Sequence, residues 1–213
     1  MQLIPAADLL ARIADWQGDG RCIIAIAGPP GSGKSTFAEK LDAELNARSA
    51  GSVAILPMDG YHFDDMVLVP RGLRPRKGAP ETFDIAGFAH MIGRLRENAE
   101  PEIAVPVFDR SIEIARAGAR LIARSVRTVI VEGNYLLLDQ PPWNVLNFDI
   151  TVMIDAEREV LRQRLIKRWL DLGSSVSEAH AKVDGNDMVN VDLVQNSRRQ
   201  PDFLLSIEVN SAR

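Results

Sequence analysis

One cysteine, Cys22, stands in 213 residues. No internal disulfide can form, so the fold must hold through its apolar core, and a reducing compartment is expected. No apolar run approaches the ~18 residues of a membrane-spanning helix. The opening Met1-Gln2-Leu3-Ile4-Pro5 lacks the basic start and apolar centre of a signal peptide. A basic excess is missing too: 25 Lys and Arg against 29 Asp and Glu leave a net charge of −4. That balance argues against a general nucleic-acid binder. These absences point to a cytoplasmic protein without nucleic-acid or membrane partners, and a homodimer is the one assembly kept open.

What is present is an ordinary globular composition, 46% hydrophobic and 25% charged. Nothing resembles a repeat or a long linker, so one domain over 1–213 is expected. Arg21–Ala27 and Thr128–Val131 are short apolar runs of the kind buried on both faces of a parallel sheet. Val53–Pro57, Asp149–Ile154 and Phe203–Val209 read as further strands. Ala6–Trp16, Ser35–Ala47, Asp84–Asn98 and Ala156–Leu172 have helical spacing; the last carries Leu161, Leu165, Trp169 and Leu172 on one stripe. Ile103–Phe108 and Ile112–Ile122, the latter broken near Ala117-Gly118, read as short strands or a hairpin. Alternating strands and helices predict an α/β fold, a mostly parallel sheet flanked by helices in three layers. Met58–Pro80 has little periodicity, and a loop that long is usually functional.

Gly28-Pro29-Pro30-Gly31-Ser32-Gly33-Lys34-Ser35 fits G-x-x-x-x-G-K-[ST], between an apolar run and a helix. The glycines free backbone N–H groups to face phosphate oxygens, and the helix start adds its positive end. Lys34 supplies a mobile charge, and the Ser35 hydroxyl is placed to ligate Mg²⁺. ATP and Mg²⁺ are therefore the expected cofactors, bound through Gly28 to Thr36. N-K-x-D and L-S-G-G-Q are both absent, which argues against a guanine switch and a transporter ATPase. A small-molecule kinase remains.

Ligands of α/β sheets sit beyond the carboxyl ends of strands. Two acids lie there. Asp59, in Met58-Asp59-Gly60-Tyr61-His62, suits the carboxylate that orients a hydroxyl and takes its proton. Glu132 follows Thr128–Val131 and suits the metal site. His62 is a candidate for the acceptor pocket. Arg71, Arg74, Arg76 and Lys77 crowd one loop, and Arg164 and Arg168 share one side of the helix from Ala156.

GPPGSGKS, MDGYH, RGLRPRKGAPETFD, PVFD and VEGNYLLL together resemble the P-loop kinases grouped around uridine kinase, phosphoribulokinase and type I pantothenate kinase. The resemblance runs from about Cys22 to Asn196, and Arg71 to Asp84 looks most like pantothenate kinase. It implies a P-loop kinase fold with a substrate-side insertion over 58–125 and a helical lid over 156–190. Asp59 falls on the substrate-activating carboxylate, Glu132 on the magnesium-site glutamate and Arg168 on the lid arginine, while Arg164 matches by face only. Arg76 and Lys77 become substrate-side cations, and Asn196 matches a substrate-contacting asparagine. Phe108 and Arg110 stand where pantothenate kinase has substrate-touching Tyr and His, Leu165 replaces a lid tyrosine, and the uridine kinase T-H-S-R is absent. Phe108, Asp109 and Arg110 thus form an altered pocket wall. The closest likeness is a short bacterial subgroup labelled fructose-transport-associated kinases. The acceptor expected on this basis is a small polar hydroxyl compound, sugar-like first, with pantothenate or a nucleoside as alternatives. An ATP-binding regulatory protein with little kinase activity is the reading of another class.

Overall fold

The computed structural model describes residues 2–206. The apolar run after Arg21 becomes strand β2, Cys22–Ala27, buried along its whole length. Its neighbours are β6 (Thr128–Gly133) and β7 (Ile150–Asp155), both parallel to it. With β1 (Gln2–Leu3), β3 (Val53–Pro57) and β8 (Phe203–Ser206) the sheet runs β1-β8-β7-β2-β6-β3, and every pairing is parallel. The expected strand 203–209 is thus met over 203–206; its remainder lies outside the described residues.

Period-two alternation makes the sheet two-sided. Ile23, Ala25, Ala27, Val129 and Val131 face α4 (Ile85–Glu97), through Phe88, Ile92 and Leu95. Ile24, Ile26, Ile130 and Val152 face α1 (Ala6–Ala14) and α2 (Lys34–Arg48), through Leu9, Ile13, Phe37 and Leu41. The lone thiol of Cys22 is buried on this second face, and burial, helped by the Asp149 charge, pushes it up to about 12. A third, separate cluster joins Leu161 and Leu165 of α5 (Arg158–Asp171) to Val183, Met188 and Val191. The last two lie on α7 (Met188–Asn196), which follows α6 (Val176–Lys182) through one π-helical turn, Val183–Asp187.

Several local expectations are corrected. The segment after β3 is not irregular: three 3₁₀ turns and a short α3 (Asp65–Leu68) occupy it, with the Asp64 carboxylate capping α3. The hairpin is a separate antiparallel pair, β4 (Glu102–Asp109) and β5 (Ile114–Ala123). Its expected break at Ala117-Gly118 is a bulge, because Val105 pairs with Arg120 but Val107 with Arg116, and Gly118 takes a φ of +65° that favours glycine. Leu172 ends α5 and is 63% exposed, off the buried stripe. The chain passes through Asn186, Asp187 and Asn190 in continuous helical turns.

Candidate active site

Register puts three strand ends side by side. Pro57 of β3 lies opposite Glu132 of β6, and Glu132 opposite Ile26 of β2. Glu132 therefore belongs to the strand instead of following it, and the phosphate loop, Asp59 and Asn134 all emerge at this edge. Within the loop Gly31 and Gly33 take φ of +81° and +89°, open to glycine at little cost. A Cβ on Gly28 would sit 2.5 Å from Ser32 Oγ and 2.6 Å from the Ile154 carbonyl oxygen, a backbone atom that cannot yield. Helix α2 starts at Gly33 with no side-chain cap and no acid in its first turn. Its first N–H groups are thus left for an anion. Arg164 reaches back to donate to the Gly31 carbonyl at 3.2 Å.

Lys34 has no hydrogen bond or ion pair among the described residues. Burial pushes its ammonium down, and the charges of Glu132 and Asp59 oppose that. The Ser35 hydroxyl donates to Glu132 Oε2 at 3.0 Å. Glu132 is 7% exposed, and burial pushes it above the usual carboxylate range against the pull of Lys34.

Asp59 sits in the 3₁₀ turn after β3. Arg110 donates to its Oδ2 at 2.6 Å. Burial alone would raise this carboxyl, but the charges of His62, Arg110, Lys34 and Arg168 together outweigh burial and hold it low. The His62 ring packs against Phe83 and Phe108, with centroids at 4.0 and 4.7 Å, and its Nδ1 lies 2.7 Å from the Asp59 carbonyl oxygen. Burial holds this imidazole below its usual range.

Two cavities meet at Asp59, Phe108 and Arg110. One is lined further by Pro30, Lys34, His62, Lys77, Asn134, Arg168, Asp187 and Asn190. The other is lined by Ser35, Glu39, Arg120 and Glu132. Lys77 is held by Asp65 and by the Glu113 carbonyl oxygen, both at 2.7 Å, and lies 5.6 Å over the Phe108 ring. Burial pushes Arg168 down from its usual range, and Arg110 adds to that; no side-chain hydrogen bond engages it among the described residues.

Three predicted residues stand elsewhere. Asp109 turns to Ser111 and to Arg116 at 2.9 Å and does not line either cavity. Asn196 ends α7 on the exposed surface. Arg76 is spent on Asn186 Oδ1 at 2.7 Å and on Glu81. Sequence reasoning missed Asn134, Asn190, Trp169 and Asp187. Trp169 Nε1 donates to Asp187 at 2.7 Å. The side-chain oxygens of Asn134 and Asn190 are buried without a partner. Asn134 was findable, since it directly follows Glu132-Gly133 at a strand end; Asn190, inside α7, carries no such signal.

No family model matches the chain. A protein of Schizosaccharomyces pombe named "Putative uridine kinase" is 34% identical over 194 residues, covering 87% of this chain and 83% of its own. The "Pantothenate kinase" of Myxococcus xanthus is 31% identical over 159 residues, 70% of this chain and 50% of its own. Among solved structures, a "putative fructose transport system kinase" from Silicibacter superposes with a TM-score of 0.88 at 39% identity, covering 94% of this chain and 98% of that one.

Proposed function

The chain belongs to the P-loop kinases of the uridine kinase and pantothenate kinase group and is an ATP-dependent small-molecule kinase, and from that premise we propose that its acceptor is a sugar-like polyol. The observation that carries this reading is the pair of unpartnered, buried amide oxygens of Asn134 and Asn190 beside Asp59. A buried acceptor without a donor is costly, and a substrate rich in hydroxyls supplies donors to both. The name of the 39% identical solved relative agrees with it. The uridine kinase T-H-S-R is absent, and Phe108 and Arg110 stand where pantothenate kinase carries its substrate-touching Tyr and His.

In this reading Asp59 is the catalytic base. A hydroxyl donates to it, the hydroxyl oxygen forms a bond to the γ-phosphorus of ATP, and the bond from that phosphorus to the β,γ-bridging oxygen breaks. The proton passes to Asp59, and ADP leaves with the bonding electron pair. Gly28 to Thr36, with Lys34 and Arg164, form the nucleotide cradle, and Arg168 meets charge on the transferring group. The region 58–125 serves as the acceptor side and 156–190 as the lid.

Mg²⁺ fits the donors present. Ser35 Oγ and Glu132 Oε2 are hard oxygens within one hydrogen bond of each other. Among the described residues no three His, Cys, Asp or Glu side chains form a metal cage, and Mg²⁺ on nucleotide phosphates characteristically keeps waters and few protein ligands. The bound ion would neutralise phosphate charge. No helix among the described residues is long and apolar enough to cross a membrane.

The test is an ATP-consumption screen with the full chain across sugars, sugar acids, uridine and pantothenate. Turnover concentrated in polyhydroxylated compounds supports the acceptor reading. Efficient turnover of uridine or pantothenate with no sugar-like acceptor would overturn it and leave the kinase activity in place.

A further inference from the structure

Four cations surround the cavity that holds Asp59, and their engagements differ. Lys77 is spent on Asp65 and a carbonyl, with 6% of its side chain exposed. Lys34 and Arg168 line the same cavity and their side chains carry no hydrogen bond among the described residues. Arg110 alone is tied to the proposed base, through one bond from Nη2. Its other donors make no hydrogen bond among the described residues, its side chain is 54% exposed, and it rises from the turn between β4 and β5 over the Phe108 ring at 5.9 Å.

Oδ1 of Asp59 accepts no hydrogen bond among the described residues, so an acceptor hydroxyl can donate there while Arg110 stays on Oδ2. The remaining guanidinium donors are then free beside the base, and an acceptor with its own oxyanion gives them a charged partner that a neutral hydroxyl compound lacks. Guanidinium geometry suits a planar carboxylate or a phosphate equally.

We propose that Arg110 is the specificity-determining anchor for an anionic acceptor, a hydroxyl compound bearing a carboxylate or phosphate group, which its unused donors hold while the hydroxyl meets Asp59. The inference rests on the reading of Asp59 as base. It narrows the sugar-like acceptor to its charged derivatives, with Asn134 and Asn190 meeting the hydroxyls.

Matched acceptors test it. The full chain with ATP is assayed for ADP release on a hexitol, the matching hexonate and the matching hexose monophosphate, and on a three-carbon set of the same design. At least one charged member should exceed its neutral counterpart in kcat/KM by about 10- to 150-fold, the range of a charge-assisted hydrogen bond. Whether the hexonate or the monophosphate leads identifies the oxyanion. Arg110→Gln should bring that ratio close to one, mainly by raising KM for the charged member, and Arg110→Lys should retain part of it. General damage to the protein would lower both members together and leave the ratio alone. Equal or better use of the neutral member by the unaltered chain overturns the proposal, as does an unchanged ratio in Arg110→Gln. Turnover of neutral sugars alone would do so while keeping the sugar-like reading. Turnover of pantothenate, lost in Arg110→Gln, would keep Arg110 as anion anchor and overturn the sugar-like reading instead.

Discussion

In the proposed reaction Asp59 is the residue on which the chemistry turns, and its surroundings work in two directions. Burial disfavours its charge, while its neighbours His62, Arg110, Lys34 and Arg168 together favour it more strongly. A base must be unprotonated to accept a proton, so activity rises with pH through the Asp59 pKa. With that pKa below the usual carboxylate value of about 3.9, the base is ionised throughout the neutral range. Arg110→Gln removes one of the cations, so the acidic limb of kcat/KM, which reports the free enzyme, should move to higher pH. A limb that stays in place would show that Arg110 does not act on the titrating group. Asp59→Asn keeps the shape and removes the base. Transfer should fall by roughly 10²- to 10⁴-fold, as for loss of a general base, while ATP still binds. Undiminished transfer would take Asp59 out of the reaction.

Among the elements, β2 carries the largest share of the architecture, and one side chain ties its start to its surroundings. Arg21 is 3% exposed and has no carboxylate partner among the described residues; it donates to the carbonyl oxygens of Val126, Leu95 and Ala123 at 2.9, 3.1 and 2.8 Å. These belong to the approach to β6, the last turn of α4 and the end of β5. Arg21→Met would leave the Val126 and Leu95 carbonyl oxygens unpaired, while that of Ala123 keeps the Val126 N–H. At 1–3 kcal/mol each, partly relieved by water, the loss should be about 3 kcal/mol, lowering Tm by roughly 6–12 °C for a chain of this size. A melting curve within 2 °C of the unaltered chain's, a margin of about 1 kcal/mol or less, would count against this role. Arg21 also marks what sequence could reveal at this scale. The apolar runs and the phosphate loop announced β2, β6 and α2, because burial on both faces and a glycine pattern are local. The Asp84 cap, whose carboxylate accepts from the Gly87 N–H, was equally local. A guanidinium satisfied by carbonyls 74 to 105 residues away leaves no local trace. The same holds for Asp109, whose place next to Phe108 and Arg110 suggested a shared wall, until strand alternation and the Arg116 pairing turned it outward.

At the scale of the whole molecule the site is shared between two packing units. The sheet with its helices supplies the phosphate loop, Asp59 and Glu132. The α5–α7 segment supplies Arg168, Trp169, Asp187 and Asn190, and it has its own small core around Leu161, Leu165, Val183, Met188 and Val191. Leu165 would lie 3.2 Å from a Cβ on Gly31, and Arg164 bonds the Gly31 carbonyl, so the segment touches the loop at its tip. The sequence displayed the helical stripe but not this division, because cores are told apart only by packing. The division decides what an arginine on α5 can contribute. In the proposed reaction Lys34 and the uncapped start of α2 hold the phosphates from the sheet side, before and during transfer. Arg168 approaches from the other unit and is held free of side-chain hydrogen bonds. Its charge counts most when negative charge spreads over the transferring phosphoryl group, and interactions that strengthen in the transition state raise kcat without tightening the ground state. Arg168→Ala should therefore lower kcat by roughly 10²- to 10³-fold, the cost of one such donor, and change KM for ATP by much less. Lys34→Ala, by contrast, should weaken nucleotide affinity as well as turnover. Steady-state kinetics beside direct nucleotide titration separate the two patterns. A normal kcat in Arg168→Ala would place α5 outside the reaction, while an equal loss in nucleotide affinity would make Arg168 a second phosphate anchor, indistinguishable in kind from Lys34.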